Sequence, residues 1–292
     1  MCDSWKDKRM DGQRLFIKVT HDTIPQVKDR YPFLYLERGR LEIDDSSVKW
    51  IDCEGEVIRL PVATITMLLL GPGTSITHEA VKVLAAANCS VCWVGEDSLL
   101  FYAVGQSPTS DTRNMRKQIK LACDPIRSLA VARRMFARRF PDIDLQGKTL
   151  KEMMGMEGLR VRELYEEKAQ TYHVGWNGRS FTPGRFEMSD VTNQILTASN
   201  AALYALLTSV VYTLGFSPHI GFIHSGSPLP FVYDLADLYK EYLCIDLAFY
   251  LTLEMAGKYN KYRVSSEFRN RVLGSNLLEQ INLDIEQLLG GI

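Results

Sequence analysis

Residues 190–214, DVTNQILTASNAALYALLTSVVYTL, decide how the rest of the chain is read. Ile195, Leu196, Ala198, Ala201, Ala202, Leu203, Ala205, Leu206, Leu207, Val210 and Val211 leave the segment apolar or small on every side, and Gly215 closes it. A helix without a polar face has nowhere to lie except among other elements, so the segment predicts the central helix of a helical domain. Its polar exceptions, Asn193 and Tyr204, either satisfy local hydrogen bonds or face a functional site.

Helical patterns surround it. Residues 113–140 run in helix formers up to Pro141, a capping box at Thr149 and Glu152 opens another helix, and residues 231–257 and 277–289 continue the theme. Upstream the character changes. Residues 33–36, 41–43, 48–51, 57–60 and 62–70 are short β-branched and aromatic pieces parted by polar turns, with Gly39 and Glu54-Gly55 at the expected reversals. Residues 68–70, 78–87 and 91–94 read as a strand-helix-strand unit. The polar run Gly105-Gln106-Ser107-Pro108-Thr109-Ser110 marks a linker between the two characters. The expected fold class is therefore α+β with two domains: a small N-terminal antiparallel β domain over residues 1–105, containing the strand-helix-strand unit, and a larger all-α domain over residues 106–292. The length agrees, because 292 residues exceed a comfortable single core.

Composition narrows the classes of function. With 46% hydrophobic and 24% charged residues the chain is ordinary globular material, and apolar runs such as residues 62–70 are too short to span a bilayer. The first twelve residues are charged and lack an apolar core, so no secretory signal, no membrane partner and a cytoplasmic address are expected. Six scattered cysteines then favour reduced thiols; Cys89 and Cys92 form the one CxxC, without the second pair a zinc site requires. Gly71-Pro72-Gly73 is followed by neither Gly-Lys-Ser/Thr nor a third glycine, which makes it a tight turn with Ser/Thr capping rather than a phosphate loop. His78 beyond it reads as a packing or surface histidine.

A net charge of −1 supplies no global attraction to nucleic acid, but the charges are unevenly spread. Between residues 113 and 139 stand Arg113, Arg116, Lys117, Lys120, Arg127, Arg133, Arg134, Arg138 and Arg139 against a single acid, Asp124. Lys258, Lys261, Arg263, Arg269 and Arg271 form a second cluster interleaved with Tyr259, Tyr262 and Phe268. Such clusters serve either as solvated helix faces or as tracks for a phosphate backbone.

The segment His224-Ser-Gly-Ser-Pro-Leu-Pro-Phe-Val-Tyr-Asp234-Leu-Ala-Asp237 gathers an imidazole and two carboxylates in a chain with five histidines. If the aspartates lie on a helix they share a face, and the Gly-Pro loop can fold His224 back over it. Oxygen ligands with one nitrogen suit Mg2+ or Mn2+, ions that commonly work on phosphate esters. The same acids could instead complement a helix dipole. A further carboxylate is wanted, and Glu157 in Gly155-Met156-Glu157-Gly158 is chosen, its flanking glycines allowing close approach; by spacing alone it competes with Glu152, Glu163, Glu166 and Glu167.

Several strings taken together resemble the CRISPR-associated integrase family, the first of the two universal adaptation proteins of CRISPR systems, in its type I-E form. They are residues 71–78, Val94-Gly95-Glu96, Gly155-Met156-Glu157-Gly158 with Arg160-Val161-Arg162, Trp176-Asn177-Gly178-Arg179, and residues 224–237. Order, spacing and total length agree from about Arg14 to past Asp237.

The resemblance implies an N-terminal β domain that dimerises and a helical catalytic domain. It implies that Glu157, His224 and Asp237 match the family's metal ligands and that Asp234 matches a nearby acid required for activity. Two homodimers would flank a dimer of the second adaptation protein in a heterohexamer. That assembly would insert short DNA into a CRISPR repeat, the DNA 3′-hydroxyl attacking a phosphodiester, and could cut branched DNA. DNA contacts are then expected from Arg113, Arg116, Lys117, Arg133, Arg134, Arg138, Arg160, Arg162, Lys258, Lys261 and Arg263, with Phe181, Phe186 and Tyr204 as aromatic platforms. Phe181 and Phe186 stand where the family would carry tyrosine and tryptophan, and Leu100 where it would carry arginine. A tyrosine hydroxyl contact is thereby lost, which bears on the preferred protospacer-end motif. Two competing readings are a structure-selective endonuclease that never integrates and a DNA-binding scaffold whose acids only cap helices.

Overall fold

The computed structural model describes residues 30–290 apart from 32, 46, 96–100, 106–111 and 181–185. Leu100, Phe181 and most of the expected linker fall outside the described residues. In chain order the strands are β1 Leu34–Leu36, β2 Gly39–Asp44, β3 Ser47–Asp52, β4 Val57–Leu60, β5 Met67–Leu70, β6 Thr74–Ile76, β7 Ser90–Val94 and β8 Phe101–Gly105. The helices are α1 His78–Ala86, α2 Arg113–Ala122, α3 Pro125–Arg139, α4 Leu150–Thr171, α5 Val191–Thr213, α6 Pro230–Ala236, α7 Leu247–Glu254, α8 Lys261–Gly274 and α9 Leu277–Leu288, with a π-helical turn at Glu241–Asp246. The order, strands first and helices after, is the expected α+β architecture.

The strands form two four-stranded sheets, β1-β5-β7-β8 and β4-β3-β2-β6. The antiparallel expectation holds for β2-β3-β4 and for β7-β8, whereas β1-β5, β5-β7 and β2-β6 pair parallel. For β5-β7 the cause is the strand-helix-strand unit itself, because a crossover through α1 returns the chain in the same direction; β1 and β5 are joined instead through β2, β3 and β4 of the other sheet. Gly39 is not a reversal. It lies inside β2, where a Cβ would fall 2.4 Å from the Trp50 ring, and the hairpin turns instead at Asp45, at φ 45°.

Met67, Leu68, Leu69 and Leu70 are all buried, as befits a parallel strand covered on both faces. Leu68, Leu70 and Val91 pack toward the other sheet and α1, while Met67, Leu69, Cys92 and Val94 join the helical core. Cys89 and Cys92 are buried free thiols, and burial pushes the Cys89 thiol up to about 12, so both are core residues as expected.

Around α5 the expectation of a central helix is met. Its side chains are buried along nearly its whole length, and four of its hydroxyls are satisfied within the helix: Thr197, Ser199, Thr208 and Thr213 donate to carbonyls four residues back. By length and composition alone α5 could cross a membrane, but 72% of its most apolar window is buried inside the protein, the mark of a core helix.

Two helices expected to be continuous are divided. Pro125 has no N–H to extend α2, yet its fixed φ suits the first turn of α3, and Asp124 caps that turn by accepting from Ile126 N at 2.9 Å and Arg127 N at 3.1 Å. The 231–257 stretch is split into α6, the π turn and α7. Helix α8 forms within the second basic cluster, opened by Asn260 accepting from Arg263 N at 3.1 Å. As expected, α4 starts on the reciprocal Thr149–Glu152 capping box, which fixes where Glu157 stands two turns later.

Candidate metal centre and nucleic-acid cleft

Asp234 organises the site. It sits on α6 with no exposed surface, and its carboxylate takes four donors. Oδ2 accepts from Phe222 N at 2.6 Å and Ile223 N at 3.2 Å; Oδ1 accepts from His224 N at 2.9 Å and from His224 Nδ1 at 2.8 Å. The expected folding back of the Gly-Pro loop is thus achieved by one buried carboxylate gathering three successive peptide N–H groups. Gly221 lets the backbone come this close, since a Cβ there would lie 2.7 Å from Pro230 Cβ and 2.9 Å from Asp234 Oδ2.

A proton on Nδ1 is held by Asp234, so the lone pair belongs to Nε2, which points toward Asp237 Oδ2 at 3.7 Å. The Asp234 hydrogen bond raises the His224 pKa against the opposing effect of burial, and Asp237 raises it further. Glu157 comes in from α4. Arg139, the last residue of α3, pairs with Glu157 Oε1 and lies 3.7 Å from Asp237 Oδ2, so the carboxylates from α4 and from the end of α6 converge on one cation. Lys240 Nζ donates to the other oxygen of Asp237 at 2.7 Å. Burial alone would lower the Lys240 pKa, but Asp237 and Tyr204 raise it well above the usual lysine value.

Among the described residues no three His, Cys, Asp or Glu side chains already enclose a single point as a finished metal cage. The donor set nevertheless fits a Mg2+ or Mn2+ ion. It offers two carboxylates and one imidazole whose proton is held on the far nitrogen, and the carboxylates already meet across a positive charge. Of the alternatives to Glu157, Glu152 closes the capping box, Glu166 is exposed on α4, and Glu163 and Glu167 line the cleft, whereas Arg139 pairs with Glu157. Gly155 and Gly158 admit no neighbouring element among the described residues, since none of their atoms lies within 4 Å of where a Cβ on either would stand.

Glu157 and Asp237, though not His224, line a cleft of about 1060 Å³ whose walls include Arg138, Arg139, Arg160, Arg179, Lys240, Tyr165, Tyr204 and Tyr233. Tyr204 therefore faces the site, its ring 4.9 Å from that of Tyr233 and 5.1 Å from Lys240 Nζ. Asn193 serves the cleft indirectly. Its Oδ1 accepts from Arg179 Nη1 at 2.8 Å and from Ser180 N at 2.9 Å, aiming the guanidinium that the Trp176-Asn177-Gly178-Arg179 string supplies.

The basic clusters divide by role. Arg133 donates to Lys148 O at 2.9 Å, Arg134 to Leu288 O at 2.6 Å, and Arg138 pairs with buried Asp284 at 2.6 Å. These three expected DNA contacts hold internal acceptors, although Arg138 also borders the cleft; α3 is amphipathic, and its inward face meets α9 and the 140s loop. Arg113, Arg116 and Lys117 lie on α2, away from the cleft walls, and Arg162 is exposed on α4. Lys258 is exposed, Lys261 pairs with Glu37 at 3.4 Å, and Arg263 grips Glu254 at 2.7 Å. Phe186 packs in a T-shaped pair with Tyr259, ring centroids 5.2 Å apart. Lys240 and Arg179 were missed as site residues and Arg139 was counted only as part of a charge run. The i,i+3 spacing of Asp237 and Lys240 was the available signal.

Comparison with known proteins shows the family of the chain. Residues 136–275 match the family model described as CRISPR associated protein Cas1. The chain is 67% identical over 277 residues to the CRISPR-associated endonuclease Cas1 2 of Chlorobaculum tepidum, covering 95% of this chain and 94% of that protein. The crystal structure of a TtCas1–DNA complex superposes with a TM-score of 0.68 at 37% identity, covering 92% of this chain and all 100% of that one. A CAS1 protein from Thermotoga maritima, at 14% identity and a TM-score of 0.73 over 89% of this chain and 97% of its own, shares the fold. The chain therefore belongs to the Cas1 family of CRISPR-associated proteins.

Proposed function

We propose that the chain is a divalent-metal-dependent DNA nuclease and integrase of CRISPR adaptation, of the type I-E form, in which Glu157, His224 and Asp237 hold Mg2+ or Mn2+. The observation that carries the reading is that Asp237 Oδ2 faces His224 Nε2 at 3.7 Å and shares Arg139 with Glu157, with the His224 tautomer set by Asp234. Relatives named as endonucleases and a relative crystallised with DNA support the substrate class.

When bound, the ion supplies Lewis-acid stabilisation of charge on a scissile phosphate. The chain's own groups do the rest. Asp234 holds the proton of the neutral His224 ring on Nδ1 and the ring in place, Lys240 anchors Asp237, and Arg160 and Arg179 offer fork-shaped donors to phosphate oxygens along the cleft. Transesterification needs no Ser, Cys or Tyr nucleophile, because the incoming DNA brings its 3′-hydroxyl. A second reading, cutting of branched DNA with water as nucleophile, is favoured by the relatives' endonuclease names and uses the same residues.

The same proposal includes a division of labour, with residues 1–105 as the dimerisation domain and residues 106–292 as the catalytic one. It includes a homodimer, two of which flank a dimer of the second adaptation protein, and action in the cytoplasm on duplexes with 3′-hydroxyl ends and on CRISPR repeat DNA. To test it, purified protein is given a 3′-hydroxyl duplex and a supercoiled repeat plasmid, with Mg2+ or Mn2+, with and without the second adaptation protein. Joined products are expected, and cut branches without joining would decide for the second reading. His224→Ala and Asp237→Ala are expected to abolish both; full activity in either folded variant would overturn the ligand assignment.

A further inference from the structure

Arg139 ends α3 with its guanidinium turned into the centre. One nitrogen, Nη1, meets Glu157 Oε1 and lies 3.7 Å from Asp237 Oδ2, the same oxygen that faces His224 Nε2. The side chains of Arg139, Glu157 and Asp237 are only 11%, 16% and 10% exposed, so these charges meet largely out of water.

We propose that Arg139 is a resident counter-cation that a divalent ion must displace from Glu157 and Asp237, so that ion uptake by this chain is a cation exchange that turns a guanidinium loose into the cleft. The inference rests on the reading of Glu157, His224 and Asp237 as ligands. Ligand oxygens stand about 2.0–2.1 Å from Mg2+, so both carboxylates must close around one point. A guanidinium nitrogen that meets both cannot share it. The exchange keeps two poorly solvated carboxylates neutralised throughout, where leaving them bare would be costly.

Movement is confined to the side chain. Behind Arg139, α3 is pinned to α9 by Arg138 on Asp284 at 2.6 Å and by Arg134 on Leu288 O at 2.6 Å. Outward, the guanidinium carbon already lies 4.9 Å from the Phe140 ring centroid, and that of Arg160 lies 5.5 Å from the same ring. Rotation over Phe140 therefore brings Arg139 beside Arg160, as a paired donor suited to phosphate oxygens. Lys240 differs: it holds Asp237 Oδ1, the oxygen turned away from His224, and need not leave.

The test uses the full chain treated with chelator and titrated with Mn2+, with free Mn2+ followed by electron paramagnetic resonance and stability by thermal melting. Arg139→Gln is expected to bind Mn2+ about tenfold more tightly than wild type, since a competing charge at contact distance is gone. It should also melt lower before Mn2+ is added and gain more in Tm on addition. Equal affinity and equal Tm gain in the two proteins would overturn the exchange while leaving the ligand set standing. Failure of wild type to bind Mn2+ any better than His224→Ala would overturn the ligand reading and the exchange together. Arginine side-chain nitrogen NMR of wild type, with the resonance assigned through Arg139→Lys, gives a check that needs no folded Gln variant. Mg2+ is expected to shift the Arg139 guanidinium signal, and an unmoved signal at saturating Mg2+ would overturn the proposal.

Discussion

Replacing Asp234 by Asn changes one atom's chemistry at the point where the loop, the imidazole and α6 meet. The carboxylate takes two donors on each oxygen: Phe222 N and Ile223 N on one, His224 N and His224 Nδ1 on the other. An amide has the same shape but presents NH2 on one side, so two of these four contacts become donor against donor whichever way it faces. Toward residues 222 and 223, it orphans two buried peptide N–H groups. Toward His224 it orphans one, and the ring escapes the clash by moving its proton to Nε2, closing the atom that should bind the ion. Each orphaned buried N–H costs roughly 1–3 kcal/mol, so a loss of about 2–4 kcal/mol is expected. At about 2–4 °C per kcal/mol for a chain of this size, Tm should fall by about 5–15 °C. Loss of the group that orients a ligating histidine should also weaken metal binding by about 10–100-fold. Thermal melting and Mn2+ titration on the same preparation read both effects. A variant with wild-type Tm and wild-type Mn2+ affinity would refute the view that Asp234 builds this site.

Four further substitutions have outcomes set by individual contacts or by position. Gly221→Ala should lower stability by about 1–3 kcal/mol, because its Cβ would press on Pro230 and Asp234, and a thermal melt unchanged from wild type would count against that close approach. Arg134→Ala should cost about 1–2 kcal/mol through the lost bond to Leu288 O while leaving the salt dependence of DNA binding unchanged; Arg116→Ala should leave stability unchanged and, if α2 tracks DNA, reduce the slope of log K against log salt by about 0.9. His224 has a folded pKa raised above 6.5, so its protonation adds stability that is fully present below pH 6.5 and disappears as pH rises through the folded value. In chelator, the stability gap between wild type and His224→Gln should therefore be wider at pH 5.5 than at pH 8.5, and the reverse trend would contradict the Asp234–His224 bond.

Elements whose cause is local were legible in the chain. The apolar circumference of residues 191–213, the Thr149–Glu152 capping box and the strand-helix-strand unit all depend on neighbours within a few residues, and each stands where its pattern places it. Strand direction was not legible, because whether β1 pairs parallel with β5 depends on where the chain returns after the second sheet has been built. The break at Pro125 was not read from the sequence, because a proline tolerated in a first turn looks the same there as one inside a helix.

The candidate site divides along the same line. Residue type and order, with the family resemblance, brought Glu157, His224, Asp234 and Asp237 forward from the sequence, since the chemistry of an oxygen-rich metal site restricts which side chains can serve. Their division of labour came only with the fold. Asp234 is fully buried under four donors and Asp237 is the one that faces Arg139, a distinction that three residues of spacing cannot express. The basic stripe shows the same limit most plainly. Adjacent Arg138 and Arg139 look alike in sequence, yet one turns to Asp284 on the last helix and the other to Glu157 and Asp237 in the centre. Charge is a property of the residue, but its partner is set by which surfaces the packing of α3, α4 and α9 brings together, and that packing is decided by burial over the whole chain.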